Sequence, residues 1–158
     1  INMADLVVTI TESVTLNGAA RGSSNALTIT GVDDVYHRII TCPANQDSTI
    51  ATFRAASNTS DNALDLDETK YIRVTNLDSS NPINLSLQVS NDEDGAADFS
   101  ATILVEAGKS FLMGTPHDGI QVSDANATII TTLVDLESLL VDPGANAVQV
   151  EVFIAGVV

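Results

Sequence analysis

The chain has 158 residues, 44% hydrophobic but only 4% aromatic and without Trp, so its core must be built from Val, Ile, Leu and Ala around Phe53, Phe99, Phe111 and Phe153. Six basic residues stand against 21 acidic ones, a formal net charge of -15, which argues against nucleic-acid binding through clustered Lys and Arg and against adhesion to an anionic membrane surface. The single cysteine, Cys42, excludes an internal disulfide framework and a Cys-based zinc site.

The N-terminus shows no charged region followed by an apolar one, and no apolar run approaches membrane-spanning length. Neither export nor anchoring is therefore expected. Met3-Ala4 reads as a natural start, and the sequons at Asn58, Asn84 and Asn126 are expected to be unused.

From there the chain alternates with period two. Leu6, Val8 and Ile10 form one face of a first strand that continues or bends toward Val14 and Leu16. Asn17-Gly18 and Arg21 to Asn25 carry turn chemistry, because Gly and Asn tolerate positive φ. Leu27 and Ile29 mark a second strand closed by Gly31, and Val35 to Ile40 a third that stops near Pro43. Thr49 to Phe53 is a fourth, followed by a polar loop over Ala56 to Asn62.

The stretch Lys70 to Val89 reads as a β-hairpin, two alternating strands around Asn76-Leu77-Asp78-Ser79-Ser80-Asn81-Pro82. An acidic loop, Asn91 to Gly95, leads to a strand carrying Phe99, Ala101, Ile103 and Val105; Ala107-Gly108 then turns into Ser110 to Met113. Leu136 to Val141 fits either a helical turn or a strand, Asp142 to Asn146 is a turn, and Val148, Val150, Val152 and Ile154 share one face of the last strand. The end of that strand is apolar on both faces, through Phe153, Val157 and Val158, so it either lies centrally in a sheet or meets another subunit. The expected fold is an all-β, single-domain antiparallel β-sandwich over residues 1–158, with about eight to ten strands and with arms at 1–8 and 152–158.

Candidate chemistry is thin. Gly108-Lys109-Ser110 echoes a phosphate-binding loop, but Ile103 stands where the first Gly is needed and a strand follows instead of a helix. The run Asn91-Asp92-Glu93-Asp94-Gly95 is acidic enough for calcium yet departs from EF-hand spacing, and Asp65, Asp67 and Glu68 form a weaker cluster of the same kind. Ser110, His117 and Asp118 lack a nucleophile elbow. Cys42 and His37 are an odd number of residues apart, hence on opposite faces of one strand. The sequence thus points to a non-enzymatic protein with no cofactor and no metal. Arg73, one of only six basic residues, is expected to pair with a carboxylate on a sheet face or at a subunit contact.

A family resemblance is carried by residues 69–114, through Tyr71 to Asp78, Asn81 to Leu85 and Val105-Glu106-Ala107-Gly108-Lys109-Ser110-Phe111-Leu112-Met113-Gly114, while the first strand Met3 to Ile10 and the other flank share only length and texture. Residues 69–114 resemble small β-rich virion structural proteins of tailed bacteriophages of marine or cyanobacterial type. The resemblance implies a jelly-roll-like module that decorates or cements the capsid, made in the host bacterial cytoplasm and carried on the virion. It also implies a homo-oligomer, a trimer by preference, and contact with the major capsid protein or another virion protein. The other implied role is a tail, neck or fibre component acting as a glycan- or host-surface-binding module, although such sites usually stack sugars on exposed aromatic rings. The residues expected at contacts are Asn2, Leu6, Val8, Arg73, Phe153, Val157 and Val158, most of them near the apolar chain ends.

Overall fold

The computed structural model describes residues 3–54, 63–90, 99–114, 121–122 and 133–157. Asn2, Val158, the loop over Ala56 to Asn62, the acidic run Asn91 to Gly95 and the pair His117-Asp118 lie outside the described residues.

In chain order the strands are β1 (Ala4–Thr11), β2 (Val14–Leu16), β3 (Ala19–Arg21), β4 (Ser24–Val32), β5 (Asp34–Cys42), β6 (Ser48–Arg54) and β7 (Leu64–Asp65). They continue as β8 (Thr69–Asn76), β9 (Ile83–Ser90), β10 (Phe99–Val105), β11 (Ser110–Gly114), β12 (Gln121–Val122), β13 (Val134–Asp142) and β14 (Val148–Gly156). Eight of them make a sandwich. One sheet has the order β11-β8-β14-β5; the other runs β10-β9-β13-β6, with the two-residue strands β7 and β12 appended. All pairings are antiparallel except β6 with β7. The first sandwich strand, β5, pairs with the last, β14, and successive strands cross between the sheets except β9 and β10, which pair with each other; this is jelly-roll order. The strands beyond the expected eight to ten are the two short appendages and a ribbon, β1 to β4, that stands outside the sandwich.

Alternation supplies the core. Ile72 and Val74 of β8 and Val148, Val150, Val152 and Ile154 of β14 face Ile83, Leu85, Leu87 and Val89 of β9 and Leu136, Leu139 and Val141 of β13. The outer face of the β9 sheet is mostly polar, carrying Ser86, Gln88, Ser138, Thr52 and Thr102 beside the exposed Leu104. Leu136 to Val141 is strand throughout. The end of β14 is central, with β5 on one side and β8 on the other, and it is apolar on both faces because Phe153 and Ala155, on the outer face, pack with Leu6, Val8, Leu27 and Ile29.

The hairpin expected from Lys70 to Val89 is a correction. Both strands form at the expected places, but β8 lies in one sheet and β9 in the other, and they do not pair. The connection 77–82 is an arch across the core, and its side chains show why. The Asp78 carboxylate accepts backbone N–H groups from Ser80 at 2.8 Å and Asn81 at 2.7 Å, which folds the loop on itself. Asn76, fully buried at the end of β8, donates through Nδ2 to the carbonyls of Asn81 at 2.8 Å and Val105 at 3.2 Å. Its Oδ1 accepts the Asp78 N–H at 3.0 Å. Asn76 thereby fastens the arch to β10 in the opposite sheet. The connections 43–47, 106–109 and 143–147 cross at the same end, and they are tied by Asn45 N–H to the Gly144 carbonyl at 2.7 Å and Asn76 N–H to the Lys109 carbonyl at 2.9 Å.

Candidate functional site

The feature with no role in the sandwich is the ribbon. β1 pairs with β4 and β2 with β3, closed by Asn17 at φ 51° and Gly18 at φ 77°. Two successive positive φ values make the two-residue hairpin turn whose twist matches its strands. Between the two pairs of strands, Glu12 N–H donates to the Ser23 carbonyl at 2.9 Å, and the Thr11 and Ser24 hydroxyls meet at 3.0 Å. The chain from Ala4 to Val32 is therefore one continuous two-stranded ribbon.

Its base is anchored and its far part is not. Leu6, Val8, Leu27, Ile29 and Val32 pack on Tyr71, Phe153 and Ala155, which lie on the outer face of the β14 sheet. Every residue from Thr9 to Ala26 is exposed. On this stretch Ile10 is 51%, Val14 55% and Leu16 58% exposed. A ribbon strand from Thr9 to Leu16 spans about 26 Å at roughly 3.3 Å per residue.

The sheet face under the base has three rows of cross-strand neighbours, read from β11 to β5. They are Ser110, Thr75, Glu151, Ile39; then Leu112, Arg73, Phe153, His37; then Gly114, Tyr71, Ala155, Val35. The ribbon covers Tyr71 and Ala155 in the middle of the last row and reaches Phe153; Gly114 is glycine where Leu27 presses in, since an added Cβ would sit 3.3 Å from the Leu27 methyl and the Tyr71 ring. Beyond the ribbon the apolar side chains Leu112, Ile39 and Val35 are exposed.

A charged network crosses the middle of this face. Arg73 donates to Glu151 at 2.7 Å and His37 Nε2 lies 2.7 Å from the other carboxylate oxygen. Arg73 also donates to the Thr75 hydroxyl, which in turn meets Ser110 at 2.8 Å. The guanidinium, with the histidine second, holds the Glu151 carboxyl down at about 2. Arg73 thus has the carboxylate partner its scarcity suggests, and the pairing is within the chain.

Of the expected contact residues, Leu6, Val8, Arg73, Phe153 and Val157 come together on this one face. Leu6 and Val8 are half-buried against the chain's own sheet between exposed neighbours, and the uninterrupted exposed stretch begins at Thr9. The sequence reading missed Ile10, Val14, Leu16, Ile39 and Leu112. The available signal was the Asn-Gly turn at the centre of Ala4 to Val32: folding the chain about it gives strands longer than any in the sandwich.

Among the described residues the candidates have local structural surroundings, while Asn91 to Gly95 and His117-Asp118 lie outside the described residues. Cys42 is fully buried and burial pushes its thiol up; it faces the core while His37 faces outward. Gly108, at φ 70°, forms a turn in which Lys109 N–H bonds the Glu106 carbonyl. Asp65 caps the Asp67 N–H at 3.0 Å, and Glu68 is raised by burial and by the neighbouring Asp65 and Asp33 carboxylates. Among the described residues no group of three or more His, Cys, Asp and Glu is placed to hold a metal. At the arch end, a shallow cleft of about 310 Å³ is lined by Asn81, Asn84, Leu104, Asp142 and Asn146. No protein-family model, curated protein or solved structure matches this chain.

Proposed function

We propose that this chain is a non-enzymatic structural protein of a tailed-bacteriophage particle, a decoration protein that stabilises the head by contacts with its own copies and with the major capsid protein. The observation that carries the reading is the ribbon: a hydrogen-bonded element with exposed Ile10, Val14 and Leu16, packed on the sandwich at its base. Such an element adds little to its own domain's stability, because a lone two-stranded ribbon is marginal in water. It suits assembly, where buried area and edge pairing supply the binding. The resemblance of residues 69–114 to phage virion proteins supplies the setting, with synthesis in the host cytoplasm and residence on the virion. A trimer is the arrangement expected at quasi-threefold capsid positions.

Quantitative mass spectrometry of purified particles tests this. Hundreds of copies per particle are expected; a few or a dozen would move the protein to the tail, neck or fibre, and absence from the particle overturns the reading. The second reading, a glycan- or host-surface-binding module, has the amide-lined cleft at Asn81, Asn84 and Asn146 as its seat. The cleft has no aromatic wall for a sugar ring. Saturable micromolar binding in a glycan titration would favour it.

A further inference from the structure

We infer that the ribbon stretch Thr9 to Ala26 seats on the outer face of the β11-β8-β14-β5 sheet of a second copy of this chain, across Leu112, Arg73, Phe153 and Ile39. This names the contact within the assembly reading and rests on it. Three observations carry it.

The first is continuity. Leu6 and Val8 lie on one face of β1 with Ile10, and that face already docks on Tyr71, Phe153 and Ala155. The ribbon runs past the dock as Ile10, Val14 and Leu16, and the sheet face runs past it as Leu112, Ile39 and Val35. Both halves of one complementary contact are left uncovered on the same molecule, as a contact between copies requires. Among the described residues nothing covers them, because the hydrogen-bonded ribbon holds Thr9 to Ala26 exposed, away from its own sheet.

The second is charge. In a chain of net charge -15, the stretch Thr9 to Ala26 holds one acid, Glu12, and one base, Arg21. The facing rows hold Arg73 and His37 against Glu151. Both surfaces are locally balanced, so the contact itself adds no like-charge juxtaposition to the repulsion between the two acidic bodies. A basic partner would find nothing on the ribbon to pair with beyond Glu12.

The third is size. Four strands at about 4.8 Å spacing make a face roughly 14 Å across, and the ribbon's reach of about 26 Å spans it fully.

Light scattering on the purified full chain at on the order of 50 µM tests the contact. The wild type should run at an integral multiple of 16.5 kDa. Val14→Asp with Leu16→Asp, and separately Ile39→Asp, should give the monomer mass while melting as folded protein. Ser100→Asp with Thr102→Asp, on the outer face of the other sheet, adds the same charge as the ribbon pair and should leave the oligomer intact. As a second measurement, chains carrying Leu16→Cys mixed with chains carrying Ile39→Cys should form a disulfide between the two on oxidation, Cys42 being buried. A monomeric wild type, an oligomer indifferent to both ribbon and face variants, or no mixed disulfide overturns the inference. Particle copy number is read separately, so the contact and the virion reading fail independently.

Discussion

Glu151 is the residue on which the exposed sheet face turns. With Arg73 and His37 each 2.7 Å from its two oxygens, its carboxyl titrates at about 2, below its ordinary range. Since the folded value is depressed, the stabilisation is fully present above the unfolded carboxylate pKa of about 4.3 and is lost as pH falls toward about 2. Urea midpoints of the wild type and Glu151→Gln should therefore differ by a constant amount at pH 6 to 8. That gap, on the order of 1 kcal/mol for a partly exposed pair, should close below pH 4. Asn76 makes a larger claim. Its buried amide carries three hydrogen bonds to the arch and to β10, so Asn76→Ala should cost about 2 to 4 kcal/mol in chemical denaturation. The scarcity of bases in the sequence makes the pairing of Arg73 legible; its partner, 78 residues away, is not, because a cross-strand register is a non-local fact.

At the scale of elements, strands were far easier to read than their partners. The alternation in Lys70 to Val89 marks β8 and β9, and the polar run between them marks a turn. Yet a loop of this kind joins strands within one sheet or between two sheets, and hydrophobic periodicity is the same in both cases. The choice was made by Asn76 and Asp78, whose amide and carboxylate bind the loop's own backbone and the far sheet. The ribbon was legible only in pieces, because its two halves are interrupted at Glu12 and Gly22. Gly22 has φ 126°, and a Cβ there would fall 2.1 Å from the Glu12 carbonyl oxygen, so no other residue fits. Gly22→Ala should open the ribbon at that point. Amide exchange at Glu12 and along Val14 to Arg21 should accelerate at least tenfold, while the melting of the sandwich stays within about 1 kcal/mol of wild type.

For the whole molecule the governing quantity is the charge of -15, which is spread unevenly. Acidic residues crowd positions 61–68 and 92–98, whereas Thr9 to Ala26 is neutral. Association through neutral surfaces of an acidic body strengthens as salt screens the remainder. Raising ionic strength from about 0.01 M to 0.1 M shortens the screening length from about 30 Å to about 10 Å. Sedimentation should then show tighter self-association, and the opposite sign would reveal an ion-paired contact. Class and sandwich were readable because alternation with few breaks leaves little else for this composition to form. The outlying ribbon was less so, since exposure belongs to the assembled shape and not to any local stretch.

The central place of β14 has a consequence for how the molecule comes into being. Residues Val148 to Gly156 are the final strand of the sequence, yet they sit between β5 and β8, which do not touch each other without them. During synthesis the first sheet therefore has no completed middle until its last strand leaves the ribosome. Over that interval β5 and β8 both present open edges, a hazard for topologies built on distant pairings. Chains cut short before Val148 should accumulate in the insoluble fraction. The sandwich is joined end to end, its earliest strand held by its latest.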